Sequence, residues 1–161
     1  MTTATLVGIY ISEQAKVLPR SVDSVEAIAM KGLTGDRYAR KRGTFSATEP
    51  KHSGRALTLI ESEALEAFKA RYELDLSPAE ARRNLVTVGI RLNDLVGKKF
   101  YVGTVLVAGV RLCDPCSHLQ KLTQKPVLAG LDQWGGLRAD ILSTGVIQVG
   151  DTITLIESKP E

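Results

Sequence analysis

The chain has 161 residues, enough for one domain with a sizeable core, and its 43% hydrophobic and 24% charged content excludes a disordered protein. Its net charge of +3 is spread without blocks of like charge, which suits an anionic small ligand and does not require nucleic acid. No basic-then-apolar leader precedes Thr5–Ile11, and that run is too short to span a bilayer, so a cytoplasmic protein without membrane contact is expected.

No repeat, low-complexity tract or Pro/Ser-rich linker divides the sequence, and residues 1–161 read as a single domain. The β-branched and aromatic run Thr5–Ile11 predicts a first strand, and Ser24–Met30 a second before the turn-rich stretch Lys31–Tyr38. Ala56–Ile60 predicts a short apolar strand leading into a helix in which Leu65, Phe68 and Tyr72 recur at helical spacing. Ser77-Pro78-Ala79-Glu80 has the cap, the first-turn proline and the glutamate three residues on that begin a second helix. It ends near Arg82-Arg83-Asn84, and Leu85–Val88 returns as strand. Lys98–Val102, Val105–Leu112, Leu137–Leu142 and Thr152–Glu157 complete the strands, punctuated by Gly97, Gly103, Gly109, Gly145 and Gly150. Short helices are expected at Cys116–Leu122 and Val127–Gln133. The pattern predicts a mainly β chain with α insertions, a barrel with helices over one mouth.

Both cysteines fall in Cys113-Asp114-Pro115-Cys116-Ser117-His118. Asp114 suits an N-cap and Pro115 the first helical position, which would put Cys116 in the first turn, where free backbone N–H groups favour a thiolate. Such a sulfur attacks electrophiles, carries sulfur or binds a soft metal. Cys113 reads as a small buried residue at a strand end, and His118 stands two residues from Cys116. A zinc set of Cys113, Cys116, His118 and His52 is possible on paper, but nothing in the spacing brings His52 there.

Arg37, Arg82, Arg83, Arg111 and Arg138 each lie beside a glycine turn or at an element boundary, where a planar guanidinium can meet phosphate or carboxylate in bidentate fashion. Trp134 precedes Gly135 and Gly136, and core packing and ligand stacking both remain open for it. There is no GxGxxG, no phosphate-binding P-loop and no serine nucleophile elbow.

Seven segments, taken in order, resemble the MOSC domain, the C-terminal domain of molybdenum-cofactor sulfurases that also occurs in small proteins of its own. They are Gly32–Tyr38, Leu57–Glu61, Arg82–Val86, Leu95–Gly97 with Phe100 and Gly103, Pro115-Cys116, Gly136–Ala139 and Val149–Asp151. The resemblance implies a barrel of the type related to the pyruvate-kinase barrel domain, with Cys116 as the functional cysteine and protein ligand to molybdenum. It implies cofactor-anion contacts from Arg82, Arg83 and Asn84, with Asp36, Arg37, Arg138 and His118 counted beside them.

Two activities are implied. One is molybdenum-cofactor-dependent reduction of N-hydroxylated compounds, with electrons from a separate reductase. The other is a sulfur carrier holding a persulfide on Cys116, received from a cysteine desulfurase. A non-catalytic barrel that binds an anionic ligand is the third reading. The chain has no room for the sulfurases' pyridoxal-phosphate domain, so no pyridoxal phosphate site is expected.

Overall fold

In the first strand, β1 (Ala4–Ile11), Ala4 and Leu6 are buried, and then Ile9 and Ile11. The change of phase is a bulge: the register against a later strand slips between Leu6 and Gly8, and an extra residue reverses which side chains point inward. A Cβ on Gly8 would come within 3.0 Å of the Tyr10 ring. The protein is described by a computed structural model over residues 4–14, 17–36, 54 and 56–156.

After β1 come β2 (Arg20–Val22), β3 (Ser24–Ile28) and the two-residue β4 (Gly32–Leu33). β5 (Leu57–Glu61) is buried throughout and leads directly into α1 (Ser62–Tyr72), which ends at Glu73 in the left-handed conformation. α2 (Pro78–Ala81) has the expected capping box, with Glu80 N–H donating to Ser77 Oγ at 3.2 Å and Ser77 N–H to Glu80 Oε1 at 3.1 Å. β6 (Leu85–Val88), β7 (Lys99–Val102) and β8 (Val105–Leu112) follow. Between β6 and β7, a 3-10 turn at Leu92–Leu95 carries two core leucines. Two short helices, α3 (Ser117–Thr123) and α4 (Val127–Gly130), precede β9 (Leu137–Ile141), β10 (Gly145–Gln148) and β11 (Thr152–Leu155).

Among the described residues, seven strands form a ring in the order β11-β7-β8-β9-β5-β6-β1, closed by pairing of β1 with β11, with β2 attached to β1. The expected mainly β barrel is the observed fold. But α3 and α4, expected over one mouth, pack instead on the outer wall, where the outward-facing Ile60 and Val86 give them an apolar surface to cover. β5 and β6 pair in parallel, as the α1–α2 crossover between them requires, and the remaining pairings are antiparallel. A smaller sheet, β10-β3-β4, packs beside the ring, and its residues Val25, Ala27, Leu33 and Ile147 join the ring's core.

Two apolar clusters divide the molecule. The ring encloses Leu6, Ile9, Leu57, Leu59, Leu85, Phe100, Val107 and Leu137. A second cluster lies outside the wall, where Ile60 and Val86 meet Phe68 and Leu65 of α1, Leu119 of α3 and Val127 of α4. Among the described residues, no helix is long and apolar enough to cross a membrane.

Candidate active site

Alternation along β5 and β9 sets the chemistry of the outer wall. Leu57, Leu59, Leu137 and Ala139 point into the ring, so Thr58 and Arg138, which are Cα partners, face outward. Arg111 of β8 is the Cα partner of Arg138 across the next strand pair, beyond a register shift after Gly109. The two guanidinium-bearing residues therefore share one face of adjacent strands, both half-buried. Both make further interactions in the fold.

The chain leaves β8 through Leu112 and runs to Cys116 without helix or strand. The Cys113 N–H continues the sheet by donating to Gly136 O at 2.7 Å, and its side chain is 2% exposed. Cys116 is exposed, and no disulfide joins it to Cys113. The helix starts two residues later than the Asp114-Pro115 signal predicts. Cys116 is itself the N-cap of α3, in extended conformation, and its Sγ accepts the Leu119 N–H at 3.4 Å. Extension of the sheet through Cys113 keeps Asp114 and Pro115 out of helical geometry.

Arg83 underlies this turn. It is 8% exposed, and its guanidinium donates to Gly135 O at 2.8 Å, Ala81 O at 3.1 Å and Cys113 O at 3.2 Å. Gly135 and Gly136 serve chain-to-chain contact. A Cβ on Gly135 would lie 2.3 Å from Cys113 O, and one on Gly136 would lie 1.9 Å from Leu59 O.

The other residues singled out in the sequence take several positions. Asn84 is buried, accepts from Thr58 N–H at 3.0 Å and donates to Tyr10 O at 3.1 Å, tying β1 and β5 to the start of β6. Arg82 is half-buried in the left-handed conformation that ends α2, and it too is engaged in the fold. Asp36 is 0% exposed and accepts the Ser12 N–H at 2.9 Å, away from the protein surface. His118 falls in the first turn of α3. Arg37 and His52 lie outside the described residues. Arg83, Cys113, Gly135 and Gly136 are thus directly linked, and Cys116 follows three residues after Cys113. Among the described residues, no group of three or more His, Cys, Asp or Glu could hold a metal ion.

Sequence reasoning missed a second polar group reaching the same turn. The buried Glu61 carboxylate at the end of β5 accepts from Arg91 Nη1 at 3.2 Å and from Leu92 N–H at 3.4 Å. Burial pushes its carboxyl above the ordinary value, while Leu92 and Arg91 pull the other way. Arg91 lies 3.4 Å from the centre of the Trp134 ring and donates to Gln133 O at 3.1 Å, as Asn93 does at 3.0 Å. Trp134, 39% exposed, is therefore not a core residue, and Arg91 covers one face of its ring. The available signal was a lone glutamate ending an otherwise apolar strand.

The family model described as the MOSC domain matches residues 33–154. The fold is similar to that of the YUAD protein from Bacillus subtilis, with a TM-score of 0.77 at 16% identity, covering 94% of each chain. It is similar to YiiM from Geobacillus stearothermophilus, with a TM-score of 0.71 at 20% identity over 96% of this chain and 75% of that one. For YiiM from Escherichia coli the TM-score is 0.70 at 18% identity, over 100% of this chain and 73% of that one. No curated protein matches the chain significantly.

Proposed function

The chain belongs to the MOSC domain family, and on that premise we propose that it binds molybdenum cofactor, with Cys116 as the protein ligand to the metal. The proposed reaction is reduction of N-hydroxylated compounds with electrons from a separate reductase. Two electrons and two protons convert an N–OH group into N–H and water, so the donor must supply both electrons.

The observation that carries this reading is the exposed Cys116 sulfur, held just beyond a strand on which Arg111 faces Arg138. The donor chemistry fits the group. A cysteine sulfur is a soft ligand suited to a metal–sulfur bond, and guanidinium groups suit a pterin phosphate. When bound, the cofactor supplies the redox-active metal. Cys116 would anchor it, and Arg138, Arg111 and Arg82 would hold its anionic end. The Sγ–Leu119 hydrogen bond fixes the sulfur's orientation at the helix start.

The test is metal and pterin analysis of protein purified from cells able to make the cofactor. Molybdenum and pterin should be bound in proportion to protein, and Cys116→Ser should lose both. Serine is itself a good N-cap, so this substitution keeps the α3 start while removing the sulfur. Equal loading of the variant would end the proposal. Absence of metal, together with one sulfur atom gained on Cys116 after incubation with a cysteine desulfurase and cysteine, would identify a persulfide carrier instead.

A further inference from the structure

We propose that Arg83 is a positioning residue for Cys116: its guanidinium joins the carbonyls of Cys113 and Gly135 and so fixes the turn that presents the sulfur. The inference rests on the reading that Cys116 is the functional cysteine. It gives Arg83 a role different from the cofactor-anion contact that the MOSC resemblance implies.

The argument starts at the base of the arm. Asn84, the next residue, is locked by side-chain bonds to Thr58 and Tyr10, and the Ala81 carbonyl holds the guanidinium from behind. The post is therefore rigid. Its other two bonds reach separate chain segments, the exit from β8 and the entry to β9.

Charged donors make strong hydrogen bonds to carbonyls, and the planar fork fixes angle as well as distance. Gly135 makes the joint possible, because any side chain there would strike Cys113 O and Pro115. Cys116 lies three residues beyond the clamped carbonyl. An anion contact would need this guanidinium turned toward solvent, yet Arg83 is buried and three of its N–H groups are committed to backbone.

Arg83→Lys separates the two roles, since lysine keeps the charge but loses the fork. In the full chain, amide exchange over residues 112–119 should accelerate about tenfold, as expected for loss of one charge-assisted hydrogen bond, while exchange in α1 stays unchanged. The rates at which iodoacetamide and iodoacetate alkylate Cys116 should change together, leaving their ratio within twofold of wild type. Unchanged exchange, or a change confined to the anionic reagent, would overturn the proposal.

The wild-type protein gives a second reading should the variant not fold. The Arg83 Nε–H resonance should persist and stay in place when inorganic phosphate is added. Its absence in the free protein, or its movement with phosphate, would also overturn the assignment. Neither measurement uses loaded cofactor, so failure here is distinct from failure to bind molybdenum.

Discussion

Arg91 reaches Glu61 at 3.2 Å while its guanidinium carbon lies 3.4 Å from the centre of the Trp134 ring, so one cation serves a buried carboxylate and an aromatic face together. Burial holds the Glu61 carboxyl above 4.5, against the opposing pull of Leu92 N–H and Arg91. The folded protein thus keeps this proton at a pH where the unfolded chain has released it. The Glu61 contribution to stability is greatest below 4.5 and falls as pH rises through the folded-state value. Urea denaturation should show wild-type stability, measured relative to Glu61→Gln, declining as pH is raised from 4.5. A pH-independent difference would refute this account.

Glu80 titrates in the opposite sense. Burial raises its carboxyl, but hydrogen bonds from Lys125 and Ser77 outweigh that and hold it below 4.5. Its contribution is present above 4.5 and is lost as pH falls through the folded-state value. The Lys125 ammonium sits 2.8 Å from Glu80 Oε2 and also donates to Asp75 O, so it ties α2 to the segment after α1. Ser77→Ala should cost about 1 kcal/mol at neutral pH, and Lys125→Met should weaken the acid-side slope in the same denaturation series.

α4 packs on α1 at Gly130, where a Cβ would lie 2.4 Å from the Phe68 ring and 2.8 Å from Tyr72. Gly130→Ala is therefore expected to destabilise by about 1–3 kcal/mol through overpacking. Phe68→Leu in the same background should recover part of that loss, giving a coupling that a double-mutant cycle measures. Strict additivity would show that the two sites do not press on each other.

Arg138→Ser should reduce molybdenum and pterin content in purified protein about tenfold at limiting cofactor, as expected for loss of a charged hydrogen bond to an anion. Circular dichroism should remain that of the wild type. Full loading of the variant would remove Arg138 from the anion contacts.

Local rules located the elements whose signals are local. The Ser77–Glu80 capping box, the Phe68 helix and the strands Leu85–Val88 and Val105–Leu112 follow from neighbours a few residues apart. β2 and β10 escaped because they are short and their outward residues are exposed, including Val146, and the partner of β10 is the distant β3. The α3 start was misplaced for a related reason: Asp114 carries a good cap signal, but Cys113 is bound to Gly136 across 23 positions of sequence. The same limit hid the roles of the arginines. Placement at an element boundary marks Arg83 as an anion-binding candidate and nothing marks Arg91, and only the folded chain brings the Gly135 carbonyl to Arg83 and the Trp134 ring to Arg91.

Pairing of Ala4 with Ile153 carries a consequence for synthesis. The seam of the barrel joins strands from opposite ends of the described chain, so the ring cannot close before β11 has been synthesised. Such distant pairing slows folding, and β11 is the strand that covers the edges of β1 and β7 against pairing with other chains.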